Sequence, residues 1–275
     1  MKEFGCYSDL SNEEYHADKD YISRSAIMDY DKSPYTYWAK HINPDRPKKD
    51  ATPAMELGTA FHTLILESER FDKEYEMKPT PVLLKDVGRE LYDKYKCVIE
   101  YLEQSGKRLL SFDDWHNLMA MKAKLESNEQ AMELIRDARI ENSFFWQDEH
   151  TGLLLKARPD VLQRNMIIDL KTCADASEKA IQNEVFRYGY DVQMSMIRDG
   201  VEAIEGNRID NFILICIETK YPYNIGIYIL DEEIIENARY KYKNLLLQLK
   251  ESQEFNNWKD YGINTILLPK WAIYG

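Results

Sequence analysis

The apolar positions of this chain change their period once. Up to about residue 140 they recur at the three-to-four-residue spacing of a helix face. Beyond that point they alternate or run together in short blocks, as strands do. Ser11 with Glu14 three residues on has the form of a capping box. Ser23 stands where it can cap a helix running to about Asp31, and Pro34 suits the first turn of another that ends near His41. Asn43 to Pro53, with three prolines, reads as a loop. Ala54 to Glu67 predicts a helix containing the small residues Gly58, Thr59 and Ala60. Asp86 to Gln104 predicts an amphipathic helix stopped by Gly106. Helices follow over Phe112 to Ser127 and Glu129 to Ala138.

Strands are predicted over Ser143 to Gln147, Leu153 to Leu162 and Met166 to Lys171, the last two joined by a tight turn at Gln163–Asn165. A helix over Glu184 to Ala203 comes next. Strands over Ile209 to Glu218 and Ile225 to Leu230 are joined by a turn at Tyr221–Asn224, and Asp231 starts a long helix to about Glu251. The end of the chain, reading LLPKWA, is expected to pack back on the core. Helices first, then a mostly antiparallel sheet with an inserted helix, then a closing helix is an α/β or α+β organisation. We expect one domain over residues 1–275. Residues 1–140 would form a mainly helical wall, and 141–275 a sheet core.

Composition narrows this picture little. A hydrophobic share of 44% suffices for a sizeable core. The net charge of −12 opposes a general nucleic-acid-binding surface, though a locally basic channel can sit within an acidic protein. Cys6, Cys97, Cys173 and Cys216 are far apart and include no C-x-x-C pair, so neither a zinc knuckle nor an iron–sulfur cluster is expected, and the thiols read as reduced. There is no signal-peptide pattern, and no apolar run approaches the ~20 residues of a membrane span. A cytoplasmic protein without a membrane partner is expected.

The chemistry concentrates in Lys156 to Lys171 (KARPDVLQRNMIIDLK). Side chains two apart in a strand share a face. Lys156, Arg158 and Asp160 then point one way, and on the next strand Asp169 and Lys171 share a face. A hairpin can bring Asp160 near Asp169 and Lys171. Two adjacent carboxylates favour a cation between them, and a hard divalent ion such as Mg2+ takes oxygen ligands, binds phosphate and acidifies water. Lys171 can then orient that water or neutralise developing charge, with Lys156 and Arg158 where flanking phosphates run. An exposed hairpin face with cross-strand charge pairs has the same alternation. An exposed Lys171 would be removable with little loss of stability.

Pro159-Asp160, eight residues, then Asp169-Leu170-Lys171 resembles the PD-(D/E)xK signature of the restriction-endonuclease-like nucleases. LGTAFHTLILE at 57–67, YGYDVQ at 188–193, ISRSAI at 22–27, SPYTYW at 33–38, ENSFFW at 141–146 and the closing LPKWA extend it. Together they resemble the nuclease domain of RecE-type exonucleases (exodeoxyribonuclease VIII), over about residues 7 to 273. The resemblance implies a restriction-endonuclease-like core, a central mixed sheet flanked by helices with an N-terminal helical region. It implies that His62, Asp160, Asp169 and the Leu170 carbonyl hold Mg2+, for which Mn2+ substitutes, and that Lys171 is catalytic. Gln193, with Tyr190 one turn before it, would contact the attacking water or scissile phosphate. Glu141 approaches the metal in some relatives, and Thr172 adjoins the lysine. Ser23, Arg24 and Ser25 resemble a segment that contacts DNA phosphates, although a helix cap explains Ser23 equally well. Ser33 stands where RecB-like nucleases often carry a cluster-binding cysteine, in keeping with no iron–sulfur cluster.

The activity implied is digestion of one strand of linear duplex DNA from its 5′ end, leaving a 3′ overhang. The implied partners are DNA ends, a RecT-type single-strand annealing protein and further copies of the chain in a ring, in prophage-type recombination. A RecB-like nuclease acting on single strands or flaps is the alternative within nucleases. A non-catalytic DNA-end scaffold is the alternative from another class.

Overall fold

In the computed structural model, which describes residues 2–47, 51–80 and 84–268, the helix starts fall on the capping residues. After strand β1 (Gly5–Tyr7), Ser11 opens α1 (Asn12–Ala17) with a complete capping box. Its hydroxyl accepts from the Glu14 amide at 3.2 Å, and its amide donates to the Glu14 carboxylate at 3.0 Å. Ser23 precedes α2 (Arg24–Lys32) without a side-chain cap bond; its hydroxyl meets that of Ser25 at 2.9 Å. Pro34 begins α3 (Pro34–Tyr37), which continues as a π-helical turn over Trp38–Ile42. Then come α4 (Pro53–Leu66), α5 (Ser68–Glu74), β2 (Tyr75–Met77), α6 (Leu84–Val87), α7 (Arg89–Gln104), β3 (Arg108–Leu110), α8 (Phe112–Glu126), α9 (Glu129–Ile135), β4 (Arg139–Ile140) and β5 (Ser143–Gln147).

The strand expected over Leu153 to Leu162 is two strands in different sheets, β6 (Leu154–Ala157) and β7 (Val161–Gln163). Pro159 accounts for the break, because it has no amide hydrogen to extend a ladder. Next is β8 (Met166–Cys173). The helix expected over Glu184 to Ala203 is also two, α10 (Glu178–Tyr188) and α11 (Tyr190–Glu205). Gly189 separates them at φ 69°, and a Cβ there would come within 2.7 Å of the Met28 sulfur. The chain then forms β9 (Asn211–Glu218), β10 (Ile225–Ile229) and α12 (Glu232–Glu254), which Asp231 caps.

One sheet has the order β1-β5-β6 and is antiparallel. The larger has the order β10-β9-β8-β7-β4, with β8 and β9 parallel and its other pairs antiparallel. Strand alternation divides the core. Ile167, Phe212 and Leu214 lie on the face covered by α11 and α12, and Ile168, Leu170, Ile213 and Ile215 on the face covered by α4 and α8. Strand β5 is buried on both faces: Phe144 and Trp146 join the first core, while Phe145 packs with Tyr15 and Tyr21. The tail does not pack back over its described part. Ile263, Ile266, Leu267 and Leu268 are exposed, and residues 269–275 lie outside the described residues. All four cysteines are free thiols. Among the described residues no helix is long and apolar enough to cross a membrane.

Candidate active site

The break at Pro159 puts Asp160 at the junction between the two sheets. There its Oδ2 accepts the Leu170 amide of β8 at 2.8 Å. Helix α4 brings His62 to the same oxygen, with Nδ1 3.4 Å away. Gly58, one turn earlier, allows that approach: a Cβ in its place would stand 3.2 Å from the Thr172 hydroxyl on β8. Glu141 arrives from the link between β4 and β5. Its backbone is held at φ 52°, an unfavourable region for a side chain this long, and its amide donates to the Asp160 carbonyl at 3.1 Å. His62, Glu141 and Asp160 each offer a ligand atom, and the three atoms lie within 4.8 Å of one another.

Strand alternation places Asp169 and Lys171 toward α11. Asp169 is fully buried. Its Oδ1 accepts from Gln193 Nε2 at 2.6 Å; its Oδ2 has no hydrogen-bond donor, and the Lys171 ammonium makes an ion contact with it. That ammonium also lies 4.9 Å from the centre of the Tyr190 ring. Arg24 donates to Gln193 Oε1 at 3.3 Å and to the Tyr188 carbonyl at 2.9 Å. His62, Glu141, Lys171, Thr172 and Gln193 share the wall of a cavity of about 630 Å³.

The carboxyls are crowded. Burial, reinforced by Asp160, raises the Glu141 carboxyl to about 8 against the pull of Arg158. Burial and then Asp169 raise Asp160, with His62, Lys171 and the Leu170 amide opposing. Buried like charges with an imidazole nitrogen at hand are what a hard divalent cation relieves. The donor set fits such an ion.

Several expectations change. The residue at ligand spacing with His62 and Asp160 is Glu141, whereas both oxygens of Asp169 face Gln193 and Lys171. Leu170 also contributes its amide to Asp160, which does not bear on the expectation for its carbonyl. Lys171 is not an exposed lysine: its side chain is 16% accessible. Lys156 and Arg158 line the main cavity, but they are not on an exposed strand face, because α1 and the residues around it cover that face. Lys156 is buried and donates to the carbonyls of Tyr15, at 2.6 Å, and Asp18; burial lowers its pKa to about 8. Arg158 donates to the Ser143 hydroxyl at 2.7 Å and the Leu10 carbonyl at 3.0 Å. Ser23, Arg24 and Ser25 do line the main cavity. Glu67 and Arg70 line it too and were not singled out from the sequence; Glu67 closes the same stretch that carries His62.

A family model for a PDDEXK-like domain of unknown function (DUF3799) matches residues 23–264. Among solved structures, a candidate exonuclease from Eubacterium rectale is similar over 89% of this chain and 88% of its own, at 18% identity and TM-score 0.63, a likeness of fold. An alkaline exonuclease from Laribacter hongkongensis is similar over 62% of this chain and 85% of its own, at 15% identity; its TM-score of 0.29 is too low to carry an argument. No curated protein sequence matches.

Proposed function

The chain belongs to the DUF3799 family of PDDEXK-like domains, and on that premise we propose that it is a divalent-metal-dependent exonuclease. It would digest one strand of linear double-stranded DNA from the 5′ end and leave a 3′ overhang, with residues 1–275 working as one nuclease domain. The observation that carries this reading is the convergence of His62, Glu141 and Asp160 at ligand spacing beside a buried Asp169, Lys171 and Gln193.

Hydrolysis forms a bond from a water oxygen to phosphorus and breaks the bond from phosphorus to the leaving oxygen, which takes up a proton. His62, Asp160 and Glu141 would hold Mg2+, or Mn2+ in its place, which would polarise the phosphate and acidify water. Lys171 supplies a positive charge for the phosphoryl oxygens as they gain negative charge. Tyr190 supports that ammonium from below through its ring. Gln193 fixes Asp169 through Oδ1, and Arg24 fixes Gln193 in turn.

The 5′ polarity, the ring of identical subunits, the RecT-type annealing partner and the role in prophage-type recombination rest on the resemblance to RecE-type exonucleases. The test of the activity is release of labelled nucleotides from 5′-labelled linear duplex in Mg2+, compared with EDTA and with closed circular duplex. We expect release from linear DNA in Mg2+ alone. Equal cutting of closed circles would make the protein an endonuclease, and preference for single strands or flaps would favour the RecB-like alternative.

A further inference from the structure

A second cavity of about 500 Å³ adjoins the catalytic one. The two share His16, Ser23, Ser25 and Lys156, so they are compartments of one groove. Lys19, Lys40, Arg46 and Lys156 line the second cavity, against the carboxylates of Asp18 and Asp20. That excess of cations stands out in a chain with a net charge of −12. Asp29, close by, takes part of the charge of Lys40, at 2.6 Å, and pairs with His41 at 3.2 Å.

Lys156 sits in the dividing wall at 4% exposure. Among the described residues it forms no ion pair; the carbonyls of Tyr15 and Asp18 hold its ammonium. A buried cation without a counter-charge is costly to keep, and an anion in either compartment would offset that cost. The opposite end of the groove lacks that excess of cations. A third cavity of about 330 Å³, reached past Glu67 and Arg70, carries Asp9, Glu67 and Glu141 against Arg70 and Arg158. A phosphate backbone is therefore better accommodated on the Lys156 side of the catalytic cavity than on the Glu67 side.

We propose that the cavity lined by Lys19, Lys40, Arg46 and Lys156 is a subsite for backbone phosphates of the unpaired strand whose end lies in the catalytic cavity. Both compartments are of the size that encloses a small ligand, about 300–1,000 Å³. Enclosure on that scale suits a single strand better than a duplex, whose major groove alone is about 12 Å wide. This assignment rests on the nuclease reading of the neighbouring cavity.

The experiment is fluorescence anisotropy of a 3′-labelled short oligothymidylate, with Ca2+ replacing Mg2+, over a range of salt concentrations. The double variant Lys19→Gln/Arg46→Gln should bind about tenfold more weakly. It should also lower the slope of log affinity against log salt by about 1.4, the share of two phosphate contacts on a single strand. The remote variant Lys94→Gln/Lys124→Gln, with the same change in net charge, should bind as the unaltered protein does, and thermal unfolding should be alike in all three. Unchanged affinity and slope in the Lys19/Arg46 variant would overturn the subsite. So would an equal loss in the remote variant, since total charge would then explain the effect, and so would no binding by the unaltered protein. Binding is read without turnover, so a failure to cut DNA in Mg2+ would sink the nuclease reading and leave this measurement standing.

Discussion

Asp169 has no exposed surface, and Lys171 is the cation in ion contact with its carboxylate. Lys171→Ala therefore leaves a buried charge unpaired, which costs about 3 kcal/mol, besides a loss of turnover on the order of a hundredfold or more. Lys171→Met combined with Asp169→Asn should recover most of that stability and none of the activity. Urea unfolding read beside nucleotide release checks both, and additive stability losses would show that the two side chains do not depend on each other. Asp169 and Lys171 were legible in the sequence because their spacing on a strand fixes a common face. Which faces are covered was not legible. Lys156 and Arg158 were read as open because alternation carries no information about α1, whose own and flanking carbonyls take up both cations. Glu141 came from resemblance alone, since a left-handed backbone conformation at a glutamate leaves no mark in the sequence.

Among the elements, α4 sets the position of His62, and Gly58 sets the distance of α4 from β8. Gly58→Val should drive the helix off Thr172, lower stability by about 1–3 kcal/mol through overpacking, and weaken cation binding by separating His62 from Asp160. Adding Thr172→Ala should restore part of both losses; titration calorimetry with Mn2+ and thermal unfolding would follow them. The far side of the molecule is held differently. Lys243 of α12 pairs with Asp148, whose carboxylate also accepts from the Thr151 amide at 2.9 Å and hydroxyl at 2.7 Å. Burial alone would raise the Asp148 carboxyl, but these donors outweigh it and hold it below the ordinary value. A carboxyl lowered by folding adds stability that is present above its unfolded value, about 3.9, and lost as pH falls through the folded one. The unaltered protein should therefore lose unfolding free energy below about pH 4 more steeply than Asp148→Asn does. Equal acid slopes would remove Asp148 from the account. The longer helices and strands were readable from period and caps, whereas the short strands β1, β2, β3 and β4 were not. The breaks at Pro159 and Gly189 were signalled by those residues, yet apolar periodicity runs straight through both.

For the molecule as a whole, a net charge of −12 leaves little attraction for duplex DNA away from an end. Closed circular duplex should accordingly compete poorly with labelled linear DNA for binding, and effective competition would point to a basic surface outside the groove. The mixed α/β organisation was visible in the change of apolar period, but the assignment of β6 and β7 to different sheets was not, because it turns on the single break at Pro159. That break has a further consequence. His62, Glu141, Asp160, Asp169 and Gln193 come from five separated segments, and Asp160 takes its place where the two sheets meet. No short fragment holds a working set. If the proposed activity holds, a chain still emerging from the ribosome would lack it, because the site is complete only once the last of these long-range contacts has formed.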